Sequence, residues 1–348
     1  MPLFEIIRIL ILGSLSFLAA LTFTPIFFKL FERYRLGKQI RIDENAPIFS
    51  SLHKKKEGTP TMGGILIWFT LIFLLFIFWF LAWLFPETFL VKINFLSRKE
   101  TYLPLSLLLV GAFLGFIDDW LGIRRIGLKG GGIRMRQKVL LYSIAALIGG
   151  LWFFYKLDWD QIHIPFLGDF TIGIWYIPLF IFSVVASGFS LNETDGLDGL
   201  AGGVLISAFS ALTLIAFSQG RYDLAVFTAV ISGALLAFLW FNIPPARFFM
   251  GDTGSMSLGI TLGVLSMLTN TFFLLPFFGF ILVLESSSVI IQIASRLFFK
   301  KKVFLSTPIH HHFEAKGWPE SRVVMRFWII SAIFTVFGLI IFFLDRHI

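Results

Sequence analysis

Five short polar stretches carry most of the chemistry this sequence offers. Asn192-Glu193-Thr194-Asp195-Gly196-Leu197-Asp198-Gly199 places three carboxylates in six positions between long runs of Phe, Leu, Ile and Val. Carboxylates in or beside a bilayer are costly unless cations, protons or a ligand compensate them. Asp118-Asp119 closes another apolar run, where two adjacent carboxylates repel unless a positive charge intervenes. In Phe249-Met250-Gly251-Asp252-Thr253-Gly254-Ser255 one carboxylate sits in a glycine-flanked turn that opens a span, with Asn242 upstream at the same face. Asp252 can offer oxygen to a hard cation such as Mg²⁺, and Asp252 or Thr253 can equally cap the helix.

Two further stretches are weaker signals. Gly58-Thr59-Pro60-Thr61-Met62-Gly63-Gly64 follows Lys54-Lys55-Lys56 and brings hydroxyls and backbone N–H groups to a helix start, which suits an anion. Pro308-Ile309-His310-His311-His312-Phe313-Glu314 holds three of the six histidines. Adjacent histidines point in different directions, so hydrogen bonding to phosphate or sugar fits this run better than zinc. Each stretch also has a plain structural reading, as turn former, interface marker or solvated basic anchor. Asp195 and Asp198, three apart, would share one face if the helix continued through them.

The elements that position these residues are membrane spans. Of 348 residues, 57% are hydrophobic and 14% charged, and mean hydropathy is +0.85. Soluble domains carry about 25% charged residues, so the chain is expected to be an all-α polytopic membrane protein, a single domain over 1–348. A span needs about 20 residues. On that rule ten are predicted, at 5–30, 63–85, 102–120, 138–155, 174–191, 199–218, 223–242, 255–270, 272–298 and 323–344. The first is too long for a signal-peptide core and reads as an uncleaved span. The ninth is expected to bend or break at Pro276 and Glu285-Ser286-Ser287-Ser288. The stretch from Asp158 to Gly173 alternates apolar residues around Leu167-Gly168-Asp169 and predicts a short periplasmic β-hairpin.

Orientation follows from charge. Of the 29 Lys and Arg residues, 22 fall in loops after odd-numbered spans, which assigns that side to the cytoplasm and both termini to the outer face. All five polar stretches then lie at the cytoplasmic face. The net charge of +8 is explained by this clustering beside spans rather than by nucleic acid. With no cysteine, thiolate ligands and nucleophiles are excluded. Oxygen donors and anion-binding helix starts on one face suit transfer of a phosphorylated group, which needs mainly positioning and charge neutralisation. A cation-coupled transporter is the reading from another class, but it would hold its carboxylates near mid-membrane rather than at span ends.

Taken in order, these motifs and Gly317-Trp318 resemble those of phospho-N-acetylmuramoyl-pentapeptide transferases across essentially the whole chain. The resemblance implies ten transmembrane helices, a homodimer in the bacterial inner membrane, and Mg²⁺-dependent transfer. The substrates it implies are UDP-N-acetylmuramoyl-pentapeptide and undecaprenyl phosphate, giving lipid I and UMP. It also implies roles: Asp252 as metal ligand, with Asp118 and Asp119 as its catalytic partners. Asn192, Asp195, Gly196, Leu197, Asp198, Asn242 and Phe249 would hold the uridine end, bordered by Lys56 and Thr61. His310, His311 and His312 would face pyrophosphate or nucleoside. Two departures stand out: Gly122 occupies the place of a family lysine, and Glu193 that of an apolar residue. Gly130-Gly131-Gly132 reads as a local insertion. The related polyprenyl-phosphate N-acetylhexosamine-1-phosphate transferases share the aspartates, while the histidine run and Gly317-Trp318 favour the muramoyl-pentapeptide family.

Overall fold

A computed structural model describes residues 2–37, 56–98, 100–127 and 132–346. Lys54, Lys55, Lys129, Gly130 and Gly131 lie outside the described residues. The long apolar runs form α1 (Pro2–Arg33), α2 (Ile65–Leu84), α3 (Tyr102–Ile123), α4 (Met135–Lys156) and α5 (Tyr176–Thr194). They continue as α6 (Leu200–Ser218), α7 (Tyr222–Asn242), α8 (Gly251–Leu268) and α9 (Phe280–Phe299), and after the short α10 (Ile309–Ala315) the chain ends in α11 (Glu320–Asp345). Between α4 and α5, β1 (Gln161–Ile164) pairs antiparallel with β2 (Gly168–Thr171), Gln161 opposite Thr171. The predicted hairpin is present, with its turn at 165–167 rather than at Gly168.

Nine of these helices are long and apolar enough to cross a membrane, among the described residues. Large apolar side chains such as Trp83, Trp240, Leu297 and Phe298 point outward, as a lipid-facing surface requires. The tenth long helix, α8, is the exception in composition, rich in Gly, Ser and Thr. Its surroundings explain this: every residue of α8 except Asp252 is buried, packed chiefly against α3 and α5. A helix enclosed by protein has no need of a lipid-compatible surface. Small residues instead let neighbouring backbones approach. Side-chain space is absent where Gly64 of the segment before α2 meets Gly254, where Gly115 meets the Asp252 backbone, and where Gly259 meets Gly188.

The expected interruption of the ninth span falls at its Pro276 end and not at Glu285-Ser286-Ser287-Ser288. A single helical turn, Leu275–Phe278, precedes a break at Gly279, and α9 then runs unbroken through Glu285-Ser286-Ser287-Ser288. Serines on the buried face of a helix can return their hydroxyls to protein partners: Ser286 donates to Ser190 at 2.8 Å and Ser288 to the Glu285 carbonyl at 2.7 Å.

The predicted gap between the spans ending at 191 and starting at 199 is present, so the helix does not continue through Asp195 and Asp198. The chain leaves the helix after Thr194, turns through 195–199, and restarts at Leu200. Gly199 adopts φ +82° at that restart, a value that disfavours a side chain, and the two aspartates therefore share no helix face.

Candidate active site

The starts of α2, α6, α8, α10 and α11 and the ends of α3, α5 and α7 gather at one end of the bundle. Asp118, in the last turns of α3, and Asp252, in the first turn of α8, converge on one cation, the ammonium of Lys138 in α4. Lys138 Nζ lies 2.6 Å from Asp118 Oδ2 and is also bonded to Asp252 Oδ2. The other oxygen of each carboxylate is held as well. Ile133 N donates to Asp118 Oδ1 at 2.5 Å, and Asn192 Nδ2 donates to Asp252 Oδ1 at 3.0 Å and to Ser255 Oγ at 3.1 Å. Gly132 wraps the pair closely, since a Cβ there would stand 2.6 Å from Asp118 Oδ1.

Asp119 serves the helix start. Its Oδ2 accepts from Thr253 N at 3.0 Å, so a carboxylate occupies the anion-favouring end of α8. Neither Asp252 nor Thr253 caps that helix with its side chain. Gly251 (φ +72°) keeps this corner narrow: a Cβ would meet Asp119 Oδ2 at 2.6 Å and Thr61 Oγ1 at 2.8 Å. The segment before α2 does not offer free amides to an anion, as its sequence suggests. Gly63 N donates to Phe249 O at 2.7 Å and Gly64 N to Met250 O at 2.8 Å, while Phe249 N donates to Pro60 O at 2.8 Å. Those donors splice the two glycine-rich stretches together instead.

The turn 195–199 is braced from several sides. Lys56 Nζ bridges Asp198 Oδ1 (2.6 Å) and Glu320 Oε1 (2.5 Å), and Glu320 also accepts from Asp198 N at 2.6 Å. Asp198 Oδ2 accepts from Ala246 N at 3.0 Å. Asn242 accepts from Gly199 N at 2.9 Å and donates to Phe248 O at 2.8 Å, tying the turn to the strand of chain before α8. Leu197 is buried beneath. Phe249 is half-buried, with Lys56 Nζ 6.0 Å from its ring centroid.

The three histidines divide. His310 is wholly buried, its Nδ1 2.9 Å from Glu285 Oε2, and its unpartnered Nε2 packs so close to Gly196 that a Cβ there would overlap the ring. Burial disfavours the imidazolium, but the Glu285 carboxylate outweighs it, so the His310 pKa lies above the ordinary histidine value. His311 Nδ1 pairs with Glu314 Oε2 at 2.7 Å. His312 Nδ1 accepts from Leu305 N at 3.1 Å, and slight burial and Lys316 hold its pKa down. His310 thus underlies the 195–199 turn rather than opening to solvent.

The structure brings together Asp118, Asp119, Asn192, Asp252 and Thr61 around one corner, and Lys56, Asp198, Asn242 and Phe249 around the next. Lys138, Glu285 and Glu320 are the members that sequence reasoning passed over or left among ordinary charges. Lys138 sat in a run of six basic residues, and Glu285 and Glu320 stand alone in sequence. Their signal is the cost of a buried charge, visible only once partners are in place. Lys138 supplies the positive charge between Asp118 and Asp252. Glu193 is half-buried and keeps no assigned partner role.

Comparisons with known proteins give the family. The family model described as Glycosyl transferase family 4 matches residues 101–270. Phospho-N-acetylmuramoyl-pentapeptide-transferase signature 1 matches residues 56–67, which contain Lys56 and Thr61. The phospho-N-acetylmuramoyl-pentapeptide-transferase of Geobacillus thermodenitrificans is 39% identical over 96% of this chain and 97% of its own. That of Anoxybacillus flavithermus is 37% identical over the same shares, and that of Clostridium perfringens 38% over 92% and 94%. At this level of identity over nearly the full length of both chains, the chain belongs to the phospho-N-acetylmuramoyl-pentapeptide transferase family.

Proposed function

We propose that this protein transfers phospho-N-acetylmuramoyl-pentapeptide from its UDP conjugate to undecaprenyl phosphate, giving lipid I and UMP. The reaction takes place at the cytoplasmic face of the bacterial inner membrane, in a homodimer. The observation that carries the reading is the convergence of Asp118 and Asp252 on a single cation, beside the braced turn 195–199 and the 56–67 segment. The distribution of Lys and Arg supports the cytoplasmic placement.

The residues present fit a divalent metal. The Lys138 ammonium already stands where two carboxylates meet around positive charge, and the nearby donors are oxygens and an amide. Among the described residues no group of three or more His, Cys, Asp and Glu side chains is placed to hold a metal ion. Asp252, with Asp118, would hold Mg²⁺ and leave water and substrate phosphate oxygens to complete its shell, the arrangement Mg²⁺ favours. Bound there, it supplies charge neutralisation of the diphosphate.

The chain's own residues do the rest. The 195–199 turn, Asn242 and Phe249 receive the uridine end, with Lys56 and Glu320 fixing the turn's shape. Lys138 keeps the two carboxylates from repelling each other. A phosphate monoester, with a second pKa near ~6, is mostly dianionic at neutral pH. The lipid phosphate oxygen can therefore attack the β-phosphorus directly, forming one P–O bond as the bond to the α–β bridging oxygen breaks and UMP departs. No base is required to take a proton. In the competing route an Asp252 oxygen attacks the β-phosphorus first, releasing UMP and leaving a phospho-Asp252 for the acceptor to displace.

The test is UMP release from purified protein given both substrates, with and without a chelator. Release that stops on chelation and is abolished in Asp252→Ala is expected. Undiminished release by that variant would overturn the site. Faster release from a UDP-N-acetylhexosamine lacking the muramoyl peptide would assign the chain the related activity. Exchange of labelled UMP into the donor without acceptor would establish the covalent route.

A further inference from the structure

A second polar site lies at the opposite end of the bundle. An open cavity of about 520 Å³ lies where the ends of α6, α8 and α11 meet the hairpin. Its lining carries two guanidiniums, Arg221 and Arg346, and two carboxylates, Asp169 and Asp345. The charges are not paired across these sets. His163 takes both carboxylates, with Nδ1 2.7 Å from Asp169 Oδ1 and Nε2 2.5 Å from Asp345 Oδ2, and Phe166 N also donates to Asp345 at 2.6 Å. Among the described residues neither guanidinium has a carboxylate within ion-pair distance.

Arg221 is fixed in place. One N–H donates to the Leu268 carbonyl, and the guanidinium lies over the Trp159 ring at 5.1 Å. Arg346 rests on Phe342 at 4.8 Å. Burial holds the Arg221 pKa below the ordinary arginine value, the Glu100 carboxylate offsets this in part, and the Arg346 charge adds to the lowering. A fixed guanidinium and an exposed one, both facing one cavity, suit an anion with several acceptor oxygens. The walls are pinned as well. Gln219 Nε2 donates to Thr269 O at 2.7 Å, and His163 N donates to Asn270 Oδ1 at 2.9 Å.

We propose that this cavity is a phosphate-binding site on the membrane face opposite the Asp118–Asp252 corner, with Arg221 and Arg346 as its donors. Its position at the ends of spans, with the aromatic Trp159 beside it, is headgroup level, so the phosphate can come from a lipid or from solution.

The test uses full-length, delipidated protein in detergent. Retention of phosphatidylglycerol is compared with that of diacylglycerol of the same chains by native mass spectrometry, and inorganic phosphate is titrated in parallel. Selective retention of phosphatidylglycerol, weakened about tenfold or more in Arg346→Gln and in Arg221→Gln, is expected for a lipid source, since each charge-assisted hydrogen bond contributes about 1.5–3 kcal/mol. The same loss seen with inorganic phosphate alone assigns a soluble source. Binding of neither probe, or equal binding by wild type and variants, overturns the site. UMP release reports that each variant is folded, and Arg346→Gln, which among the described residues gives up the Phe342 ring contact and no hydrogen bond, decides the matter where Arg221→Gln misfolds.

Discussion

Lys138 shows how a single side chain can be decisive and still invisible in sequence. Its ammonium lies between Asp118 and Asp252, two groups that were legible because carboxylates in so apolar a chain need a reason. The lysine was not legible, because basic residues beside spans have an ordinary explanation. Replacing it with glutamine removes two charge-assisted contacts, each about 1.5–3 kcal/mol, so UMP turnover should fall roughly 10²- to 10⁴-fold. Wild-type turnover in Lys138→Gln would remove it from the site. The histidines teach the reverse lesson. Three in a row read as a surface offered to substrate, yet His310 is buried on Glu285 under Gly196. Nothing in adjacent residue types says which of them points inward; the helical phase of α10 does.

At the scale of elements, nearly all spans were legible from apolar runs, because lipid selects for length and hydropathy together. The details that escaped depend on packing. The continuity of α9 through its serines rests on partners such as Ser190 of α5. The close approach of the chain before α2 to α8 rests on Gly64 and Gly254, where a methyl on Gly64 would overlap the Gly254 backbone. Backbone cannot move aside as a flexible side chain can. Gly64→Ala should therefore lower stability by about 1–3 kcal/mol or more, read as a depressed Tm in detergent. Gly122→Ala is the contrasting case, in α3 with nothing near its Cβ, and helix propensity there should leave Tm unchanged or raise stability by about 0.5–1 kcal/mol. Equal losses in both variants would count against the packing argument.

Across the whole molecule, the hairpin is tied to the far end of α11 through His163 and Asp345, a link between segments remote in sequence and unreadable from either. Partial burial works against the His163 imidazolium, but Asp345 and Asp169 outweigh it and raise its pKa. A raised pKa means the folded state holds the proton more tightly than the unfolded chain. The stabilisation is complete below the ordinary histidine value of about 6.5 and disappears as pH rises through the higher folded value. Tm of the wild type, measured relative to His163→Gln, should thus decline from slightly acidic to alkaline pH, and a constant difference would refute the link. The enclosed, weakly apolar α8 bears on how the protein is made. Left alone at the translocon, such a segment partitions poorly into lipid. Its two main neighbours, α3 and α5, are synthesised before it, so its insertion should depend on their presence. A glycosylation reporter fused after α8 is expected to show translocation failing for the isolated helix and restored when residues 1–250 precede it. The helix that carries Asp252 is then the one whose entry into the membrane certifies that the bundle around it has been built.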